Sequence, residues 1–211
     1  AHAAVETQVL AWVDGRLPLR TPQPLASGTQ DGWHYLLMAQ LPGQRLVEVW
    51  PELDARERAS LCDRLGEAVA ALHALDFRPL VDLPWPAWQP FMAAQRASAV
   101  QRQRQRGLDA HWLAQIDAFL DAWAPLPGDA QVLLHTEIMR EHLMVERRSD
   151  GWRLSGLFDF EPAMPGEAAY EFASIGLFVS GGDGPMLRRI LRASGYRSDA
   201  LDEALPCRLM A

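Results

Sequence analysis

The chain reads as an α+β protein, with a little mixed α/β material up to residue 40 and a mostly helical region beyond it that holds a small β-hairpin. Three observations predict this. Residues 54–75 carry Leu61, Leu65, Val69 and Leu72 at helical spacing, behind an Asp54 cap with Glu57 three positions on. Apolar strand-like runs at 131–134, 143–146 and 152–158 surround a cluster of polar residues. Helical patterns then close the chain at about 168–179, 185–194 and 199–210.

The elements follow in order. Residues 3–14 place Val5, Val9, Trp12 and Val13 on one helical face, ended by Gly15. LPLRTPQPLASG is a proline-rich connector. WHYLLMA, Trp33 to Ala39, reads as a buried strand that Leu41-Pro42-Gly43 breaks. LPWPAWQP is a loop, followed by helices over 88–106 and 109–123. The RRSDG turn joins Leu143–Val145 to Arg153–Phe158 as the hairpin. The segment between Leu134 and that hairpin is a loop bearing His135, Glu137 and His142, and a strand-loop-hairpin of this kind aims its polar residues into one cleft. There are no internal repeats.

Composition narrows the function. With 211 residues, 49% hydrophobic and 22% charged, the chain can bury a real core. A net charge of −7 argues against nucleic acid as a partner and suits a cationic small molecule. No stretch is apolar for the roughly 18 residues of a membrane span, and AHAAVETQVL is not a signal peptide. Cys62 and Cys207 give no disulfide framework and fit a reducing cytoplasm. All 20 basic residues counted as Lys+Arg are arginine. There is no initiator methionine, and the chain ends on the apolar LPCRLMA, so it reads as an excerpt of a longer protein.

The densest signal is LLHTEIMREHLMVERRSDGWRLSGLFDFE, Leu133 to Glu161. His142 lies five positions after Glu137, and Asp159 seventeen after His142. An acid between Phe158 and Phe160 on an apolar strand needs a partner or a metal ion. Phosphoryl-transfer enzymes of the protein-kinase type place H-x-D-x-x-x-x-N before D-F-G. Here the same spacing reads H-T-E-x-x-x-x-H and then D-F-E.

With these motifs the chain resembles the aminoglycoside phosphotransferase family, including its hygromycin-type members, over nearly its whole length. YLLMAQLPG resembles the hinge strand and RLGEAVAALHAL the helix after it. LLHTEIMREHLMV resembles the catalytic loop, LSGLFDFEPAMPGEAAYEFASI the metal-binding segment, and WQPFMAAQRASAVQRQRQRGL a helical insertion. The resemblance implies a protein-kinase-like fold, with residues 1–40 a remnant of the N-terminal lobe and 41–211 the C-terminal lobe. It implies ATP (or GTP) and Mg²⁺ as cofactors and a small-molecule acceptor. Glu137 would be the catalytic base, and His135 would support its loop. Asp159 and His142 would hold metal. Met38 would back the adenine pocket, and the backbones of Ala39 and Leu41 would bond the adenine edge. Glu6 would stand where the family's helix glutamate pairs with a strand lysine, and Glu171 where an aspartate braces the loop. From its place in the sequence, Glu161 is a candidate neighbouring contact to metal or substrate.

The departures matter chemically. A kinase lysine holds the α- and β-phosphates, yet the chain contains no lysine and no G-x-G-x-x-G loop. The isolated residues are therefore expected to be inactive. Glu137 is one methylene longer than aspartate, and a misplacement of about 1 Å can cost on the order of 100-fold in rate. Imidazole, at His142, is a poorer Mg²⁺ partner than oxygen. Three readings stay open: a small-molecule phosphotransferase, a catalytically impaired kinase-like binding module, and a two-histidine, one-carboxylate metal centre of His135, Glu137 and His142.

Overall fold

The computed structural model describes residues 2–122 and 130–197, with residues 201, 207 and 209 beyond them. The expected helix over 199–210 lies largely outside the described residues. Helix α1 (His2–Val13) buries Val5, Val9, Leu10 and Val13. Strands β1 (Pro24–Gln30) and β2 (Trp33–Met38) form an antiparallel ribbon that turns through Asp31 and Gly32, both at positive φ. Two sequence expectations need correction here. The connector contains β1, whose burial pattern lacks the alternation that marks a strand. Strand β2 is not buried: Trp33 is 81% exposed, and Tyr35 and Leu37 also face out. A ribbon of two strands has little beside it to cover such side chains.

Helix α3 (Ala55–His73) carries the expected capping box: the Glu57 N–H donates to Asp54 at 2.7 Å, and the Asp54 N–H to the Glu57 carboxylate at 3.2 Å. Ahead of it come a short β3 (Gln44–Arg45) and the single turn α2 (Leu46–Val49). Helix α4 (Trp88–Gln105) matches its expected span. The helix expected over 109–123 divides into α5 (Ala110–Leu113) and α6 (Ile116–Ala122).

Strands β4 (Gln131–Leu134), β5 (Leu143–Arg148) and β6 (Gly151–Leu157) fall where the periodicity puts them, β6 one residue short of the expected Phe158. Strands β5 and β6 pair Leu143 with Leu157 and join β3 in a three-stranded sheet. Strand β7 (Met164–Glu167) pairs with β4, Leu134 opposite Met164. Pro165 and Gly166 hide it in the sequence, yet Gly166 is there because a Cβ would meet the Trp88 ring at 2.5 Å. The predicted helix over 168–179 becomes a 3₁₀ turn, α7 (Glu171–Ser174) and a π-helical turn, Ile175–Val179. Helix α8 (Gly184–Ala193) packs on α3. The end of β4, the start of β5, the end of β6 and the start of β7 all meet at one place, and the polar loop residues hang from them.

Candidate functional site

The loop after β4 is built around two buried side chains. Glu171 accepts the backbone N–H of His135 at 2.8 Å and of Thr136 at 2.9 Å, and is fully buried. The Nε2 of His73 stands 3.5 Å from the same carboxylate. Thr136 takes a left-handed conformation at φ 71, and its hydroxyl donates to the Pro162 carbonyl. A β-branched residue there is strained, and the surrounding bonds hold it.

His135 is also fully buried. Its Nε2 lies 2.9 Å from the Phe158 carbonyl, which can only accept, so Nε2 carries the proton. Its Nδ1 accepts the Glu137 N–H at 3.3 Å. Burial holds its pKa below the ordinary histidine value, against the pull of Glu171. Both ring nitrogens are committed to backbone, so His135 positions the loop and cannot serve a third partner. That removes the two-histidine, one-carboxylate centre.

Glu137, His142 and Asp159 do converge. Their potential ligand atoms all lie within 4.8 Å of one another. The His142 Nδ1 is 2.9 Å from the Glu137 carbonyl, and its Nε2 is 3.2 Å from Asp159 Oδ2. Asp159 itself has φ 70, a left-handed turn at the end of β6 that swings its carboxylate toward the loop. Glu6 joins them from α1. Burial, then the nearby Asp159 and Glu161 carboxylates, hold its pKa above the usual carboxylate range, opposed by a bond from the Phe160 N–H.

Two hollows flank this cluster. One, of about 430 Å³, is lined by Met38, Ala39, Leu41, Gly43, Met144 and Phe158 among others. Ala39 donates its N–H to the Gln23 carbonyl at 2.9 Å. The other, of about 350 Å³, is lined by Trp85, Phe91, Tyr170, Glu137 and Glu161 among others. Its aromatic wall is ordered: Tyr170 meets Trp88 edge-on at 5.3 Å and Phe91 at 6.0 Å. His73, Trp85 and Tyr170 are the residues sequence reading left out of the site. Nothing in their spacing from Glu137 announces the contacts.

The GDP complex of wild-type aminoglycoside 2'-phosphotransferase-IIIa superposes with a TM-score of 0.81 at 17% identity, covering 99% of this chain and 70% of that one. A macrolide 2'-phosphotransferase from Brachybacterium faecium gives 0.67 at 20%, covering 99% and 69%. The fold is thus the kinase-like α+β fold of these phosphotransferases. A model of the phosphotransferase enzyme family matches residues 1–207, and the chain belongs to that family. Among curated relatives, viomycin phosphotransferase of Streptomyces vinaceus is 28% identical over 94% of this chain and 68% of its own length. Homoserine kinase of Pseudomonas aeruginosa is 29% identical over 78% of this chain and 51% of its own, so the chain spans about half of that relative.

Proposed function

We propose that this chain forms the nucleotide- and acceptor-binding part of a phosphotransferase that moves the γ-phosphoryl group of ATP or GTP to a hydroxyl of a small molecule. The observation that carries this reading is the convergence of Glu137, His142 and Asp159 within 4.8 Å, between an apolar hinge pocket and an aromatic, acidic hollow. Family membership supports it, as do relatives named for the phosphorylation of viomycin and homoserine.

In this reading Met38 backs the adenine ring, while the Ala39 carbonyl and the Leu41 N–H bond its edge. Glu137 accepts the proton of the acceptor hydroxyl. His135 and Glu171 hold the loop at the required distance. The acceptor fills the hollow under Trp85, Phe91 and Tyr170. The residues lining that hollow include Glu137 and Glu161 and no basic side chain, so it favours a cationic acceptor. Asp159, Glu137 and His142 would hold a divalent ion, which would supply charge neutralisation for the phosphates. Mg²⁺ is the ion the family resemblance implies; the two carboxylates fit it and the imidazole does not. Glu6 adds negative charge beside that ion, in a chain with no lysine to pair with it. No helix among the described residues is long and apolar enough to cross a membrane. Cys62 and Cys207 are free thiols, which suits a cytoplasmic setting.

The test has two readouts, each run with Mg²⁺ and with Mn²⁺. Calorimetry with ATP and GTP should show binding that Asp159→Ala weakens by about tenfold or more. In the intact protein, phosphoryl transfer to amino-bearing alcohols should lose about 100-fold in kcat on Glu137→Gln. Full activity in Asp159→Ala would defeat the assignment.

A further inference from the structure

We propose that His142 retunes the cation site away from Mg²⁺ and toward Mn²⁺. This rests on the function above only in placing a divalent ion between Asp159 and the Glu137 loop. The ring geometry decides the chemistry. His142 Nδ1 lies 2.9 Å from the Glu137 carbonyl, and a carbonyl oxygen only accepts, so Nδ1 carries the proton. The lone pair of a neutral ring is then on Nε2, and Nε2 faces Asp159 Oδ2 at 3.2 Å. Two acceptors do not approach that closely without positive charge between them or on the ring. The Glu137 carboxylate completes a triangle of ligand atoms within 4.8 Å.

A histidine that gives its far N–H to a carbonyl and points the other nitrogen at a carboxylate has the usual arrangement of a metal ligand. The other nearby imidazole is excluded, because His135 has both nitrogens bound to backbone. The donor set is two carboxylates and one imidazole nitrogen. Mg²⁺ takes oxygen ligands in strict geometry and gives up water reluctantly. Mn²⁺ shares the taste for carboxylate, accepts imidazole more readily, and keeps the octahedral positions that phosphate oxygens and water would fill. Zn²⁺ prefers four ligands richer in nitrogen and sulfur, which this set does not offer.

The experiment uses the chain with the metal ions alone. Electron spin-echo envelope modulation on the Mn²⁺-loaded protein should show coupling to an imidazole nitrogen, and His142→Asn should abolish it. Calorimetry should give a preference for Mn²⁺ over Mg²⁺ that falls on the order of tenfold in His142→Asn. Three results overturn the proposal: Mn²⁺ bound without nitrogen coupling, an unchanged preference in His142→Asn, or no ion bound at all. The first of these would mean that the ring pairs with Asp159 as an imidazolium. Each leaves the nucleotide readout of the preceding section standing on its own, so failure here and failure of the phosphotransferase reading are separable.

Discussion

Glu171 sets the shape of the loop after β4 at the cost of being a carboxylate with no solvent contact. Removing it strands the His135 and Thr136 N–H groups, and each buried donor left unpaired costs about 1–3 kcal/mol. Glu171→Ala is therefore expected to lower stability by about 2–6 kcal/mol in denaturant unfolding. Glu171→Gln keeps one carbonyl acceptor and should lose about half as much; equal losses would contradict the bracing role. At this scale the sequence was informative where chemistry is local. An acid between Phe158 and Phe160, and a glutamate and a histidine at kinase spacing, were legible. The partner of Glu171 on α3, His73, was not, because a helix histidine says nothing of which distant carboxylate it meets.

Among the elements, α3 and α8 approach each other closely. A Cβ on Gly66 would meet the Ile190 carbonyl and the Ala193 Cβ, each at 2.5 Å, where α3 crosses α8. Alanine is the better helix former by about 1 kcal/mol, but overpacking against backbone costs about 1–3 kcal/mol. Gly66→Ala should thus lower the melting temperature, and a rise would show that the two helices can slide apart. One turn earlier, burial pushes the Cys62 thiol up to about 11 from its ordinary 9.0. The folded state keeps this proton where the unfolded chain releases it. Its contribution is complete below pH 9 and is lost as pH rises toward 11, an effect of about 3 kcal/mol. Stability measured between these values should fall less steeply in Cys62→Ala. The capped helix was readable because cap and stripe both lie in its own residues. Strands β1 and β7 were not, since their conformation comes from pairing with β2 and β4 and their prolines argue against it.

Across the molecule, order is unevenly distributed. The β5–β6 hairpin buries Leu143, Val145 and Leu157 in the main core, whereas β2 turns Trp33, Tyr35 and Leu37 to solvent and packs Leu36 and Met38 only partly against that core. Arg20 ties the N-terminal part to the hairpin: its N–H donates to the Ser155 carbonyl, and its own carbonyl accepts from Leu157. Hydrogen exchange should therefore be faster in β1–β2 than in β5–β6. Matching protection in the two would mean that the ribbon shares the stability of the core. The α+β layout was evident from the order of periodic segments. The exposure of Trp33 and Leu37 was not, because an apolar run shows that a strand wants cover without showing what provides it.

The seat of Glu171 has a mechanical meaning. Phe172, next to it, is wedged edge-on between His73 at 6.3 Å and Tyr196 at 5.3 Å. His73 also brings its Nε2 to 3.5 Å from the Glu171 carboxylate. The loop that carries His135 and Thr136 is thus suspended from a clamp whose jaws belong to α3 and to the segment after α8. Loosening either jaw slackens the suspension, and the loop drifts although none of its own residues has changed.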